Sequence, residues 1–592
     1  MITKQMIIKR GPSLTKISDF IKEATKPITH HQSVSLLIGA LILALLEITA
    51  YLQKSLFSFV AGRAWAILGL LYFISSLQLI IAAIKTDISE KNYIGFIAVA
   101  AVSFFVFYGI GNVNIINLNY EACQQAAAGL NSFTVYDWNY TGKGFLGYPM
   151  RQYLLVAVPS ILFGRNAFAL HLGYAFQFFA GILIWYSGMR TYFCLRYRQH
   201  PVWAAICITA VFLFPYLSEF SKINEQVILP VSYTMQCFGW FLLMLDKPSI
   251  LNFICLAWIG AMLSTSYTPA LASWILLLAA LIFIVFYKIH TNKGLSTKNL
   301  ISYINKPSII AVISIWIYIL TIGLCTFIQR SDRPFNMRIF NFNNIMKILI
   351  QTYKLFFFGD QMSFPGILSP LVIVYIILIF KGRLKLLDLF IILWSMAVTG
   401  ISAILPGYAT PSPELAMHRA MIIIPILMFG MIRMLLLWLN GKKITMKSSW
   451  IALLFALVLS LSSYTWLQPF KVFKDVAGKP MSFLVNDILE QVKDYGIHSD
   501  EPINILFYTN DVWKKNLKNY TDYFFPNADV IVMFNDNSIP DDIKNSRYIL
   551  VYAEGQAKIP DEFMINNNIC SDLNFRYKNN LYNFTRVVII NE

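Results

Sequence analysis

The feature of this sequence that most restricts its fold is a series of apolar runs of nearly bilayer-spanning length. A transmembrane helix needs about 20 consecutive apolar residues, and these runs are continuous rather than alternating. Only helices and closed barrels satisfy their backbone in lipid, and barrel strands alternate. The pattern therefore predicts an α-helical polytopic membrane protein with about thirteen transmembrane helices. The predicted spans are residues 33–53, 63–84, 93–112, 166–188, 201–219, 225–245, 249–266, 269–287, 307–328, 366–380, 387–404, 418–438 and 449–467.

The composition agrees with a membrane protein. Of the 592 residues 57% are hydrophobic and 13% are charged, whereas soluble proteins carry about 25% charged residues. A net charge of +17 could indicate a nucleic-acid partner. The Lys and Arg residues instead gather in connections that would share one side of the membrane, as the positive-inside rule requires. We therefore expect membrane lipid, and no nucleic acid, as a partner.

The distribution of basic residues also predicts the orientation. Residues 1–32 form a basic segment on the cytoplasmic side, and residues 33–469 form the transmembrane domain. Long outer connections follow at 113–150 and 329–365, and the outer connections hold most of the loop acids. An odd number of crossings places residues 470–592 outside the cytoplasm, in what we expect to be a bacterial inner or plasma membrane.

The composition changes after residue 470. Three short apolar runs, at 503–509, 529–534 and 548–553, are separated by polar segments, and residues 481–495 have a helical pattern. Short buried strands alternating with helices are typical of a small α/β domain. No Gly-rich loop follows these runs, so nothing indicates a nucleotide site.

The first outer connection is the most informative stretch. It carries Glu121 and Asp137 close to the membrane surface, in a chain with few acids. The chain then re-enters an apolar run through residues 147–151, GYPMR. Residues 151–163 are too short to span, with Pro149 before them and Pro159 among them. This segment is predicted to be a helix lying along the outer interface.

Four parts of this stretch resemble the GT-C superfamily of membrane glycosyltransferases, in the branch of protein O-mannosyltransferases and the lipid A aminoarabinose transferase. In that branch an Asp-Glu pair, a small-residue helix, a Pro-rich stretch and a run like "lfG.n.falrl" follow one another. The corresponding residues here are Tyr120-Glu121, Ala126–Leu130, Tyr148-Pro149 and Phe163–Leu170. One acid replaces two, one proline replaces two, and two extra spans precede the pattern.

The resemblance implies an inverting enzyme with an outward-facing cavity. Its donor would be a polyprenyl-phosphate-linked sugar, and its acceptor a glycan, a lipid or a protein. Such an enzyme needs a carboxylate that takes the proton of the attacking hydroxyl, and Glu121 is the candidate base. Asp137, or Glu225 on the next outer connection, could assist. Each also has an ordinary interpretation. Glu121 could be a solvated loop acid or cap a helix, Asp137 could stand in a turn, and Glu225 could begin an interfacial helix.

The departing polyprenyl phosphate gains negative charge, for which arginine is the best bidentate partner. Arg419, next to His418 at the start of a span, is the first candidate; its alternative interpretation is an arginine that reaches the membrane interface. The further candidates for the donor phosphate are Lys222, Arg330, Arg338 and Arg151. No ligand set for a metal is visible, so dependence on a divalent metal stays open and no other cofactor is indicated.

Two further expectations concern buried groups. Glu47 lies within a predicted span, where a charge costs about 2.5–3.5 kcal/mol. Arg63, at the start of the next span, is its predicted partner, in preference to a role for Glu47 in proton relay. Cys123 and Cys570 would both face outward, which leaves a disulfide between them open.

Three other functions stay open. A transporter or flippase of lipid-linked glycans would favour inverted repeats, which this sequence lacks, and acids near the bilayer midplane. A polysaccharide polymerase or ligase would use the same class of donor and join larger glycans. A non-catalytic scaffold would act through its C-terminal domain alone.

Overall fold

Long apolar helices make up most of the described chain. The structure is a computed structural model, and it describes residues 26–53, 56–108, 110, 120–132, 150–197, 201–211, 217, 227–267, 269–271, 274, 301–302, 304–330, 346–351, 354, 376–377, 386–404, 419, 421–438, 504–509, 522–527, 529–533, 548–553, 569–575 and 585–590. Its helices are α1 (His30–Gln53), α2 (Leu56–Ser89), α3 (Tyr93–Phe107), α4 (Tyr120–Ser132), α5 (Leu154–Phe163), α6 (Ala167–Tyr197), α7 (Val202–Ala210), α8 (Ile228–Asp246), α9 (Ile250–Ser266), α10 (Pro307–Arg330), α11 (Leu386–Ile404) and α12 (Ile424–Trp438). Short 3₁₀ helices precede α5 and α12, at Met150–Tyr153 and Met421–Ile423.

Within the described ranges, five helices are long and apolar enough to cross a membrane: α1, α2, α6, α8 and α10. Large apolar side chains such as Leu45 on α1, and Ile67 and Phe73 on α2, are exposed on the outside of the bundle. Such a surface is stable only against lipid, so the chain is a membrane protein. The spans predicted at 269–287, 366–380 and 449–467 lie largely or wholly outside the described residues, and the total of about thirteen stays a prediction.

The helices run between two ends of the bundle. We call the upper end the one at which α9 and α10 finish and α6 begins, and the lower end the one at which α2 finishes and α9 begins. At the lower end the chain before α1 meets the start of α9, where the Ile28 amide donates to the Pro248 carbonyl at 2.8 Å. At the upper end Tyr51, near the end of α1, lies 3.4 Å from the hydroxyl of Thr326 on α10.

Helices α6 and α8 form the most closely packed pair. A Cβ on Gly188 would lie 2.4 Å from the carbonyl oxygen of Gly239, so the two backbones touch where both residues are glycine. Small residues permit this distance, and close van der Waals contact holds helices together in lipid. Helix α10 packs in the same bundle against α1 and α9.

Five strands of the C-terminal region form one mixed sheet. They are β1 (Asn504–Thr509), β2 (Asp529–Met533), β3 (Tyr548–Ala553), β4 (Ile569–Phe575) and β5 (Thr585–Ile590), in the order β2-β1-β3-β5-β4. Strand β1 is parallel to both neighbours, and Leu506 aligns with Ile531 and Leu550. Strand β5 is antiparallel to β3 and to β4.

The strands predicted at 503–509, 529–534 and 548–553 are confirmed as β1, β2 and β3. Strands β4 and β5 were not predicted from the sequence. The helical pattern at 481–495 lies outside the described residues, and an α/β domain over 470–592 stays a prediction.

Candidate functional site

Helix α4 carries the proposed base on a small-residue helix at the upper end. Alanine is the best helix former, and Ala122, Cys123 and Ala126 on this helix are fully buried. A Cβ on Gly129 would lie only 2.4 Å from the carbonyl oxygen of Tyr153. Helix α4 therefore rests directly on the backbone of the first 3₁₀ helix, and only glycine fits at the contact.

A buried polar contact ties α4 to α6. The hydroxyl of Tyr174 donates to the side-chain oxygen of Gln125, and both residues are fully buried. A buried amide costs free energy unless it is hydrogen-bonded, so this pair fixes how α4 lies against α6. Helix α4 is thus held between α6 on one side and the 3₁₀ helix and α5 on another.

The predicted short helix after the first outer connection is confirmed as α5. It ends at Gly164, whose φ of 83° lies in the region that favours glycine. Its side chains divide into a buried set, with Val156 and Ser160, and an exposed apolar set, with Ile161 and Leu162. This two-sided character suits a helix at a membrane surface, which is where the sequence pattern placed it.

Polar side chains lie under the 3₁₀ helix. The side-chain amide of Gln152 donates to the hydroxyl of Thr265 on α9 at 2.6 Å. The hydroxyl of Tyr233 on α8 donates to the carbonyl of Gln152 at 3.4 Å. The neighbouring Arg151 is buried, with 1% of its surface exposed. These bonds attach the 3₁₀ helix to the two helices beneath it.

Glu47 is also buried, with 3% of its surface exposed. The prediction that Arg63 is its partner is wrong. Arg63 is exposed, and its guanidinium carbon lies 4.7 Å from the centre of the Phe59 ring. Glu47 lies one turn before Tyr51, whose hydroxyl faces that of Thr326 near the end of α10. The in-span acid therefore lies toward the upper end of the bundle, the end that also carries the 3₁₀ helix.

A segment between β1 and β2 contacts α5 and the start of α6. The hydroxyl of Tyr523 donates to the Asn166 carbonyl at 3.0 Å and lies 2.8 Å from the hydroxyl of Ser160. Because a phenol has one proton, Ser160 is the donor in the second bond. Arg165 donates to the carbonyl of Tyr523 at 3.3 Å. Tyr523 and the two following phenylalanines are fully buried.

Burial also sets the acidity of two groups at this end. It raises the pKa of the Tyr523 phenol, and it raises the pKa of the Cys123 thiol. Both groups are therefore neutral at physiological pH. Cys123 is a free thiol, so the disulfide with Cys570 that the sequence left open is not formed.

The structure describes the candidate acids only in part. Glu121 is the second residue of α4, where its backbone is described and its side chain is not. Asp137 and Glu225 lie outside the described residues, and their roles stay predictions. The described part of the chain contains no group of three or more side chains that could hold a metal ion.

The candidates for the donor phosphate are spread over several elements. Arg419 is half-buried and donates to the carbonyl of Ser402, at the end of α11, over 3.4 Å. Arg330 is the last residue of α10, at the upper end, and Arg151 belongs to the 3₁₀ helix that packs against α4. His418, Lys222 and Arg338 lie outside the described residues. The structure thus brings the elements carrying Glu121, Arg151 and Arg330 to one end of the bundle.

The sequence pattern did not single out Gln125, Gln152 or Tyr523. The sequence contains a weak signal for Gln125 and Gln152. An amide side chain among apolar and small residues of a helix is buried with them and then needs a hydrogen-bond partner. Tyr523 stands in the aromatic run 523–525 of an otherwise polar segment, and that run indicates a contact surface.

No protein-family model and no curated protein matches the chain. Among solved structures it is similar to two crystal structures of ArnT from Cupriavidus metallidurans, one bound to undecaprenyl phosphate and one in the apo state. Each match covers 84% of this chain and 97% of the solved chain at 14% identity, with TM-scores of 0.46 and 0.45. Similarity at this level carries no argument about activity, so the function is argued from the chain's own residues.

Proposed function

We propose that this chain is a membrane glycosyltransferase of the GT-C type. It moves a sugar from a polyprenyl-phosphate carrier, with inversion, to an acceptor hydroxyl at the extracytoplasmic face. One observation carries the proposal: parts of the sequence that resemble the GT-C pattern pack together as one unit at the upper end. Tyr120-Glu121 begins α4, Ala126–Leu130 forms its contact with the 3₁₀ helix, and Phe163–Leu170 forms the corner between α5 and α6. Tyr148-Pro149 lies outside the described residues.

The position of Glu121 suits a general base. A carboxylate in the first turn of a helix is stabilised in its charged form by the helix dipole, so it is available to accept a proton. In the proposed reaction the acceptor oxygen attacks the anomeric carbon and its proton passes to Glu121. The bond from that carbon to the phosphate oxygen breaks, and its electron pair leaves with the phosphate. Asp137 or Glu225 would assist by orienting the acceptor.

The leaving phosphate needs positive charge at the same end of the bundle. Arg419 is our first candidate, because its bond to the Ser402 carbonyl holds it at the end of α11. Arg330 at the end of α10 is the second candidate. His418, Lys222, Arg338 and the buried Arg151 are the remaining candidates. Arginine pairs with phosphate through two parallel hydrogen bonds, which suits a charge that grows as the bond breaks.

The C-terminal sheet would act on the acceptor. Its connection between β1 and β2 is bonded through Tyr523 to α5 and to the residue before α6, and α5 packs against α4, which carries Glu121. The sheet is thus held beside the proposed site, where it could select the acceptor or cover the cavity.

The test uses the full chain in proteoliposomes with a polyprenyl-phosphate donor whose sugar is labelled. Membrane extract supplies the acceptor, and the measured quantity is the release of free polyprenyl phosphate together with the mass of the labelled product. The Glu121→Gln variant is expected to lower release about 10²–10⁴-fold, the usual contribution of a general base. Asp246→Asn, a matched change at the lower end of α8, should leave the rate unchanged.

The other functions give different results in the same assay. Near-normal release by a folded Glu121→Gln protein would remove Glu121 from the mechanism. Movement of intact donor across the bilayer, without release of the carrier phosphate, would indicate a transporter or flippase. Transfer of a long glycan rather than a single sugar would indicate a polymerase or ligase.

A further inference from the structure

Buried polar side chains meet where the end of α1 faces the end of α10, beside the first 3₁₀ helix. Glu47 and Arg151 are 3% and 1% exposed. One turn after Glu47, the hydroxyl of Tyr51 lies 3.4 Å from that of Thr326. Two ionisable groups removed from both water and lipid headgroups each need an opposite charge.

The helix periodicity brings Glu47 to the contact between α1 and α10. Glu47 lies one turn before Tyr51, and side chains four residues apart share a helix face. The same face of α1 includes Ala40, which packs in one cluster with Tyr318 and Ile322 of α10. Glu47 therefore faces the bundle rather than the lipid.

Contacts through α9 and α10 link the surroundings of the two charges. Gln152, which follows Arg151, is bonded to Thr265 on α9, and a Cβ on Gly323 of α10 would lie 3.2 Å from the hydroxyl oxygen of the neighbouring Ser264. Thr326, about one turn after Gly323, faces Tyr51, which lies one turn after Glu47. Arg63, the partner that chain order suggested, is instead exposed beside the Phe59 ring.

We propose that Glu47 and Arg151 form a buried charge pair that ties α1 to the 3₁₀ helix and so fixes the position of α4. Glu47 is then a positioning residue for the glycosyl transfer, which is the part of this inference that rests on the proposed function. It also gives α1, one of the three described helices that precede α4, a role in positioning the site.

The route from the pair to α4 is short. Arg151 is followed by Gln152, which is bonded to Thr265, and by Tyr153, whose carbonyl oxygen lies against Gly129 of α4. Without its charge partner on α1, the 3₁₀ helix would shift against α9. Because Gly129 of α4 lies directly on the Tyr153 carbonyl of the 3₁₀ helix, α4 would shift with it, and Glu121 would move as well.

The experiment is a double-mutant cycle on the full chain with Glu47→Gln, Arg151→Gln and the double variant. Two quantities are measured: the steady-state constants for the polyprenyl-phosphate donor, and the melting temperature in detergent. Arg63→Gln is the matched control, since Arg63 is a nearby arginine outside the proposed pair. Should Glu47→Gln fail to fold, Glu47→Asp keeps the charge on a side chain shorter by one methylene and takes its place.

We expect each single variant to lower kcat about tenfold or more, with the donor KM within about threefold, because a misplaced base slows the chemical step rather than binding. The double variant should be no slower than the slower single variant, and the melting temperatures should show the same non-additivity. Arg63→Gln should match the unaltered protein.

If the effects of Glu47→Gln and Arg151→Gln simply added up in the double variant, in both kcat and melting temperature, the proposed pair would be wrong. It would also be wrong if Arg63→Gln behaved like Glu47→Gln. The melting cycle needs no transfer assay. If Glu121→Gln kept full activity, the proposed function would fail while the pair could still be accepted or rejected on stability alone.

Discussion

The hydroxyl of Tyr523 lies 2.8 Å from the hydroxyl of Ser160, so a side chain from the connection between two strands is bonded to a helix of the membrane bundle. The same phenol donates to the Asn166 carbonyl at 3.0 Å. Phe524 and Phe525, which follow directly, are fully buried. Strand β2 begins at Asp529 and is an edge strand of the sheet, so the sheet is attached to the bundle next to that edge.

Replacement of Tyr523 by Phe should loosen this attachment. The change removes both hydrogen bonds and leaves the buried hydroxyl of Ser160 and the part-buried carbonyl of Asn166 with fewer partners, at a cost of about 1–3 kcal/mol. Limited proteolysis of the full chain in detergent should release a C-terminal fragment faster than from the unaltered protein. Tyr93→Phe, at a tyrosine that is 56% exposed, is the control and should not change the rate. Equal cleavage rates for all three proteins would mean that the Tyr523 hydroxyl does not hold the sheet in place.

The Gly129→Ala variant should disturb α4. The added Cβ would lie 2.4 Å from the backbone oxygen of Tyr153, which cannot move as a flexible side chain can. Overpacking of this kind costs about 1–3 kcal/mol, and here it would push α4 away from the 3₁₀ helix. We expect a lower melting temperature and a loss of transfer.

Gly39→Ala is the matched control for that variant, because nothing lies within 4 Å of a Cβ added at Gly39 on α1. Its stability should stay within about 1 kcal/mol of the unaltered protein. If the two glycine variants melted alike, the close contact between α4 and the 3₁₀ helix would not exist.

The elements that depend on local pattern were predicted from the sequence. Apolar runs near Tyr93, Ala167, Ile228 and Pro307 are helices, and the interrupted run before Gly164 is the short helix α5. Such predictions succeed because hydrophobic periodicity and length determine which segments can bury themselves in lipid or in a core.

The pairings between distant parts of the chain were not predicted. Chain order suggested Arg63 as the partner of Glu47, whereas Arg63 lies over the Phe59 ring and the partner that we propose is Arg151, far along the sequence. Likewise no local pattern shows that Tyr523 reaches Ser160. These contacts depend on which helices become neighbours, and that is decided by the packing of the whole bundle rather than by any single segment.

The polar network at the lower end gives the last prediction. Arg190 on α6 donates to Asp87 at 2.5 Å and to Glu90 at 2.6 Å. Asp87, which is buried, also accepts hydrogen bonds from Tyr186 at 2.9 Å and from Asn92 at 2.8 Å. Arg190 therefore links α6 to the end of α2.

Arg190→Gln should therefore destabilise the bundle without touching the proposed site. Removing one partner of a buried ion pair lowers the free energy of unfolding by about 3–5 kcal/mol. The loss should be nearer the lower figure, because Asp87 keeps its hydrogen bonds from Tyr186 and Asn92. The control is Lys85→Gln, at an exposed lysine on the turn of α2 that carries Asp87. It should lower the free energy of unfolding by less than about 0.5 kcal/mol. The measurement is the melting temperature in detergent, together with the transfer rate per folded molecule, which should be unchanged because the network lies at the opposite end from α4. A Lys85→Gln protein that melted as early as Arg190→Gln would show that net charge at this end, rather than the buried pair, supports the fold.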